Sequence, residues 1–172
     1  MWKRSVLACA CAIAVLAVPA APAAGEDLVL NWPQLLPGLT EGYDPNSEND
    51  CKAGKIQCVD SVLREMDRRF APLADRCDHN SMFALLYLRV TGQYREQVGA
   101  PSDFFTDERF VNHEDAVFAR YYFDAQDAWN RDGSGPRAWQ IAFSAARDRA
   151  VSGLGNLLLC LLYTSPSPRD RS

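Results

Sequence analysis

Apolar residues recur every three or four positions along most of the chain after residue 55, as in helices that pack against a core. The clearest case is the segment from Asn112 to Asn130. One broad face of this segment carries six apolar or aromatic side chains: Val117, Phe118, Tyr121, Tyr122, Ala125 and Trp129. The pattern predicts the central packing helix of the molecule.

Three further segments show helical spacing. Residues 56–73 form a narrow seam, residues 81–97 are apolar almost all round, and apolar positions repeat again from Arg137 to Leu158. The first predicts a bundle helix and the second a buried central helix. Four charged residues of the first helix fall mostly off its seam: Arg64, Asp67, Arg68 and Arg69. No strand-like alternation is long enough for a sheet. The expected fold class is therefore all-α, a single helical domain of four or more helices.

The segments outside these helices are rich in proline and polar residues. Residues 25–55 are predicted to form an extended, loop-rich lead, because prolines and a polar cluster interrupt regular structure. Its apolar residues favour docking in a groove on the domain, with a disordered linker as the alternative: Leu28, Val29, Leu30, Trp32, Leu35 and Leu36. Phe104 and Phe105 are predicted to plug the core from a short turn.

The N-terminus has the three parts of a secretory signal. Lys3 and Arg4 precede an apolar run at residues 6–18, and small residues follow it. The run is too short to span a membrane comfortably, and cleavage after Ala23 or close to it fits the expected pattern. Residues 1–24 are thus predicted to be a signal peptide, which makes the protein secreted, with no membrane span once the signal is removed. An uncleaved N-terminal anchor is the alternative.

The C-terminal residues 160–172 resemble the translation of a sequencing adapter. A real, flexible Ser/Pro-rich terminus is the alternative. The composition of the sequence changes abruptly at residue 160, in the middle of a helical pattern and without a helix cap. We therefore predict that the tail is not native and that the helical domain at residues 56–159 is incomplete, C-terminally truncated.

The net charge of the chain limits the kinds of partner that it can bind. The chain has 18 basic and 22 acidic residues, and 14 basic and 21 acidic residues remain without residues 1–25 and 160–172. The resulting net charge of −7 repels phosphate backbones, and no basic stripe is visible. Nucleic-acid binding is therefore not expected, and a small-molecule or protein partner stays unknown.

Three cysteines lie between the signal and the tail. Disulfides persist in the compartments that exported proteins reach. A bond between Cys51 and Cys58 is favoured, because it would clip a polar loop to the start of a helix. A bond between Cys58 and Cys77 is the rival, and a zinc site is weaker, since there is no C-x-x-C motif and the chain has only two histidines.

The candidate chemistry lies at two helix starts. His79 stands between Asp78 and Asn80, and His113 precedes Glu114 and Asp115. A histidine beside a carboxylate suits metal ligation or general acid–base work. His79 and His113 are therefore weak candidate metal ligands and, with Asp124, weak candidate catalytic residues.

Structural roles compete with each of these assignments. Polar residues at helix starts are most often caps, and acids there suit the helix dipole. Asp124 and Arg120 are four residues apart, which is the spacing of an ordinary surface ion pair. Five aromatic residues could line a ligand pocket or simply fill the core: Tyr87, Tyr121, Tyr122, Trp129 and Trp139. No phosphate-binding loop or nucleophile elbow is present. No cofactor-binding residue is identified, and the cofactor is unknown.

Three segments carry a family resemblance: residues 77–91, CDHNSMFALLYLRVT; residues 118–125, FARYYFDA; and residues 136–143, PRAWQIAF, followed by GNLLL at 155–159. On these segments the stretch from Cys51 to Leu159 resembles a family of exported bacterial proteins known as a domain of unknown function, family 5995. The resemblance implies that a Gly-Met-Asn-Ala-His-Ile segment and an Asp-Leu-Pro would follow Leu159. The family's third histidine is then missing here.

Two functional hypotheses follow. In the first, the protein is a hydrolase, by analogy with secreted metal-dependent phosphoesterases of helical fold. His79, His113 and Asp124 would then act beside the lost histidine. In the second, it is a non-catalytic extracellular domain that binds a partner or a small apolar ligand between its helices.

Overall fold

A computed structural model describes residues 42–98 and 104–164 and confirms the all-α single domain. Five helices lie within these residues: α1 at Ile56–Asp75, α2 at Ser81–Val98, α3 at Glu108–Asp132, α4 at Arg137–Arg147 and α5 at Gly153–Thr164. The predicted signal peptide, most of the predicted lead with its Leu and Trp residues, and the tail after residue 164 lie outside the described residues.

Helix α1 follows the predicted seam. Val59, Met66 and Leu73 are buried along it, but Leu63 and Phe70 of the seam are only partly buried, and Val62 beside it is buried. The helix continues past Pro72 to Asp75, two residues beyond the predicted segment 56–73. Arg69 was one of the four charged residues expected off the seam, but it is buried, with only 4% of its surface exposed.

Helix α2 corrects the expectation of a buried central helix. Only Phe83, Ala84 and Thr91 are fully buried on it, and Val90 is 57% exposed. The apolar side chains around the helix therefore form one packed face and one face that meets solvent. Apolar composition alone did not distinguish these two faces.

Helix α3 begins at Glu108, four residues before the start of the predicted segment at Asn112. The Asp107 side chain caps the helix by accepting the backbone N–H of Phe110 at 2.9 Å. The buried face is also rotated from the predicted one. Tyr122 and Ala125 are buried as expected, but Tyr121 is 52% exposed. Besides Phe123, the buried face of this helix carries small and polar residues: Asn112, His113, Ala116, Ala119, Gln126 and Asp127.

An aromatic core joins α2, α3 and α4. The ring of Phe83 on α2 lies 5.1 Å from Tyr122 on α3 and 5.5 Å from Trp139 on α4, centroid to centroid. Trp139 stacks on Phe143 at 5.4 Å. Phe104 does not plug the core, since it is 77% exposed, while Phe105 packs edge-on against Tyr94 at 5.1 Å.

Helix α5 packs against α4 and the start of α2. The Asn156 side chain donates to the carbonyl of Ala142 at 2.7 Å, and the backbone of Gly153 lies against Met82. The helix runs through position 160, and Cys160 is fully buried. The boundary predicted at residue 160 does not coincide with a helix end, and the non-native origin of the tail stays a prediction.

A turn-rich segment at residues 42–55 leads into α1 and is closed by the predicted disulfide between Cys51 and Cys58. This segment lies against the start of α3. At Gly54 the φ angle is +62°, and an added Cβ would lie only 1.8 Å from the carbonyl oxygen of Arg109. Glycine is required there by both the backbone conformation and the close approach. Cys77, the cysteine of the rival pairing, is an exposed free thiol.

Among the described residues, no helix has both the length and the apolar character needed to cross a membrane.

Candidate functional site

His113 is held in the domain by the disulfide loop. Its Nδ1 lies 3.0 Å from the carbonyl oxygen of Cys51, and its ring is 3% exposed. A carbonyl can only accept, so this nitrogen carries the proton. The neighbouring Asn112 donates to the carbonyl of Gly54 at 2.8 Å, and the Arg109 Nε donates to that of Ala53 at 3.1 Å. These contacts give the first turns of α3 a structural role as an anchor for residues 51–54.

His79 and Asp124 lie elsewhere and have different partners. The Nδ1 of His79 lies 3.0 Å from the carbonyl oxygen of Val151, which ties the start of α2 to the start of α5. Asp124 has a side chain that is 48% exposed and forms an ion pair with Arg120 at 3.5 Å. Partial burial raises the pKa of Asp124, and the neighbouring Arg120 opposes that rise.

The three predicted site residues thus have three different partners, and none of these contacts joins one of the residues to another. Within the described part of the chain, no group of three or more His, Cys, Asp or Glu side chains is placed to hold a metal ion. Their proposed catalytic and metal-binding roles stay predictions.

A different acid has the features of a site. Asp115 lies on α3, where its carboxylate faces two hydroxyl groups of α2. The Thr91 hydroxyl donates to Asp115 Oδ1 at 3.2 Å, and the Tyr87 hydroxyl lies 3.1 Å from the backbone carbonyl and 3.4 Å from Oδ1 of the same residue. The second carboxylate oxygen, Oδ2, is closed off from solvent and has no hydrogen-bond partner. We call these three residues the Asp115 cluster.

The hydrogen bonds of the Asp115 cluster are long for hydroxyl donors, which usually approach an oxygen to about 2.7–2.8 Å. The carboxylate is therefore both desolvated and incompletely satisfied. Burial raises the pKa of Asp115 from 3.8 to about 6, and the hydrogen bonds from Thr91 and Tyr87 oppose that rise. Burial, followed by the nearby Asp115 charge, raises the pKa of Tyr87 well above 10, so this tyrosine keeps its proton.

Aromatic rings border the Asp115 cluster. Phe118 stands one turn after Asp115 on α3, and its ring meets that of Tyr87 edge to face at 4.8 Å. Tyr94 stands one turn after Thr91 on α2 and donates to the Oδ1 of Asn112 at 2.6 Å. Burial, and then the charges of Asp115 and Glu108, raise the pKa of Tyr94 to about 12. The surroundings of the carboxylate are thus aromatic and electrically negative.

A second buried charge cluster joins α1 to α3. The Arg69 guanidinium donates to Glu65 at 2.6 Å, to both oxygens of Asp127 at 2.6 and 3.1 Å, and to Gln126 at 2.9 Å. It also lies 4.6 Å from the ring centroid of Phe123. Because the guanidinium is saturated with partners inside the protein, this cluster is structural and offers no free group to a ligand.

An open groove of about 470 Å³ lies between α1 and α2. Its apolar lining includes Leu63, Phe70 and Leu88, and its charged lining includes both signs, with Arg89 and Glu96. The groove has the size of a small-molecule site, but nothing in it selects one kind of ligand.

The sequence analysis grouped Asp115 with the possible caps of the central helix and assigned it no separate role. One signal was present in the spacing. Asp115, Phe118 and Tyr122 are three and four residues apart, so the acid lies on the same helical face as two aromatic residues. Its partners Tyr87 and Thr91 are 28 and 24 residues away, and no local pattern reveals them.

Comparison with known proteins gives one match. The model of the family described as "Family of unknown function (DUF5995)" matches residues 59–161, which is more than half of the chain and agrees with the resemblance found in its motifs. No curated protein and no solved structure matches the chain.

Proposed function

The chain belongs to DUF5995, a family of unknown function, and from that premise we propose that it is an exported binding domain whose ligand contacts the Asp115 cluster. The observation that carries this proposal is the buried Oδ2 of Asp115, which has no hydrogen-bond partner among the described residues. A desolvated acceptor without a donor costs about 1–3 kcal/mol, so native proteins seldom keep one without a use.

A ligand that brings a donor would remove this cost. Asp115, Phe118, Tyr87 and Tyr94 combine one convergent polar group with apolar walls, which is the usual composition of a small-molecule site. The perturbed pKa of Asp115 also marks functional sites more often than ordinary surface positions.

Export is part of the proposal. Residues 1–24 have the composition of a signal peptide, and the disulfide between Cys51 and Cys58 suits an oxidising compartment. We further propose that the mature domain begins near residue 25 and that the residues from 160 onward, which resemble a translated sequencing adapter, are not native.

The metal-dependent hydrolase is the competing hypothesis, and metal analysis tests it directly. A hydrolase of this kind would retain a stoichiometric metal after purification without chelator, and His79→Ala and His113→Ala would each remove it. We expect no such metal, because no group of three or more His, Cys, Asp or Glu side chains among the described residues is placed to hold a metal ion. Stoichiometric metal lost in both variants would favour the hydrolase instead.

The binding proposal is tested with three small probes on the ¹⁵N-labelled chain recovered after export from a bacterial host. Methylammonium, acetamide and acetate are titrated separately at constant ionic strength, and the amide resonances of Thr91 and Asp115 are followed by NMR. At least one probe is expected to shift them saturably, and Asp115→Asn to abolish the shift. If no probe acts on these resonances, the Asp115 cluster is not a binding site.

A further inference from the structure

The Asp115 carboxylate lacks a positive counterpart inside the protein. No Lys or Arg side chain in the part of the chain that the structure describes pairs with it, and its polar contacts are hydroxyl groups. The contrast with Asp127 is direct, since that carboxylate, also on α3, meets the Arg69 guanidinium at 2.6 Å. A buried carboxylate is normally paired, because its charge is costly away from water.

The surroundings of Asp115 favour a cation. Glu108 adds a second negative charge within range of Tyr94, and aromatic rings attract cations through their negative faces. The net charge of −7 on residues 26–159 raises the concentration of cations near the surface.

We propose that the ligand of the Asp115 cluster carries a compact primary ammonium group, which donates to Asp115 Oδ2 beside the rings of Tyr87 and Phe118. Because Oδ2 is closed off from solvent in this structure, the side chains around it must move apart to admit the group. This inference rests on the proposed binding function and specifies the chemical class of its ligand. Amines and amino-group-bearing compounds outside the cell belong to that class.

Geometry distinguishes ammonium from other cations. A guanidinium binds a carboxylate best with two parallel hydrogen bonds, which need both oxygens. Here Thr91 and Tyr87 already approach Oδ1, so one oxygen is left for the ligand. A divalent metal usually takes several protein ligands, and among the described residues no group of three or more His, Cys, Asp or Glu side chains is placed to hold one.

The test compares cations of different shape on the same labelled chain. Methylammonium, guanidinium and potassium chloride are titrated at constant ionic strength at pH 7.5, next to acetamide and acetate. Methylammonium is expected to give the strongest saturable shifts at Thr91 and Asp115. Asp115→Asn should weaken its affinity at least about tenfold, since hydrogen bonds to a charged group contribute about 1.5–3 kcal/mol.

Two controls distinguish binding at the Asp115 cluster from a general electrostatic attraction of cations to the protein surface. Glu114→Gln removes the same charge one residue away on the exposed side of α3, and the affinity for methylammonium should stay within about twofold. Gly92 lies in the groove between α1 and α2 and reports binding there. Shifts at Gly92 that persist in Asp115→Asn, without shifts at Asp115, would overturn both the site and its ligand class.

The remaining outcomes are also decisive. If acetamide or acetate binds at Asp115 more tightly than methylammonium, the binding function stands and the ammonium inference is wrong. Equal or tighter binding of potassium or guanidinium also overturns the ammonium inference. If no probe shifts Thr91 or Asp115, both proposals fail.

Discussion

Cys77 occupies a backbone position that normally takes glycine. Its φ angle is +50°, its N–H bonds to the carbonyl of Ala74, and the N–H of Asp78 bonds to the carbonyl of Leu73. This is the hydrogen-bond pattern with which many helices end, and its left-handed residue is usually glycine. A residue with a Cβ is strained there.

We therefore expect Cys77→Gly to stabilise the domain by about 0.5–1 kcal/mol, because relief of the strain exceeds the extra entropy of glycine in the unfolded chain. Thermal unfolding measures the effect as a rise in Tm of roughly 2–4 °C. Cys77→Ala is the matched control, since it removes the thiol but keeps the strain. An equal gain in both variants would assign the effect to the thiol and not to the backbone.

Asp115 should make the stability of the domain depend on pH. Its pKa is about 6 in the folded protein and 3.8 as the ordinary value, so the folded state binds the proton more tightly. The contribution of Asp115 to the free energy of unfolding is fully present below pH 3.8 and is lost as the pH rises through about 6. The difference amounts to roughly 2–3 kcal/mol across that window.

Asp115→Asn removes this titration. We expect the free energy of unfolding, measured in urea from pH 4 to 7.5, to fall with rising pH less steeply in the variant than in the native chain. At pH 7.5 the variant should also be the more stable of the two. Glu114→Gln should leave the slope nearly as it is, and an identical slope in all three proteins would contradict the assignment to Asp115.

At the scale of helices, the contact between α1 and α3 depends on one buried network. Arg69 is 4% exposed, its partner Asp127 is 10% exposed at the side chain, and Glu65 is fully buried. Removal of one partner leaves a buried charge incompletely paired, which typically costs about 3–5 kcal/mol.

Asp127→Ala is therefore expected to lower the free energy of unfolding by about 3 kcal/mol or more in urea denaturation. Asp124→Ala is the matched control on the same helix. Its ion pair with Arg120 is long and exposed, so its loss should cost less than about 1 kcal/mol. Similar losses in both variants would show that the network contributes no more than a surface pair.

The helices themselves were largely predictable from spacing, but their faces were not. The seam of α1 and the extent of α2 follow from apolar periodicity, which depends on neighbouring residues in the sequence. The burial of Arg69 and the exposure of Tyr121 depend on what packs opposite each residue. The Asp115 cluster was missed for the same reason, since its members come from two helices and only the tertiary packing brings them together.

For the whole molecule, the disulfide ties the segment before α1 to the first turn of α1, and hydrogen bonds hold that segment against the start of α3. The bond between Cys51 and Cys58 encloses a short loop, and the loop's carbonyl groups receive hydrogen bonds from Arg109, Asn112 and His113. The bond therefore constrains a segment whose other contacts are made with residues more than 50 positions away.

The double variant Cys51→Ser, Cys58→Ser is expected to be less stable by about 2 kcal/mol, as the closure of a loop of this length predicts. The Asp115 cluster should be affected indirectly, because Asn112 and His113 lie within one turn of Asp115. Urea denaturation measures the loss of stability, and hydrogen exchange of the α3 amides measures the effect on the Asp115 cluster.

The compartment in which the protein is produced should therefore change the stability of the native chain but not that of the double variant. Protein recovered after export should contain the disulfide, begin near residue 25 and match the higher stability, whereas protein made in a reducing cytosol should resemble the double variant. Intact mass and thiol titration of both preparations measure this. If the cytosolic chain is equally stable without the bond, the disulfide does not link the fold to export, and that part of the proposed function loses its structural support.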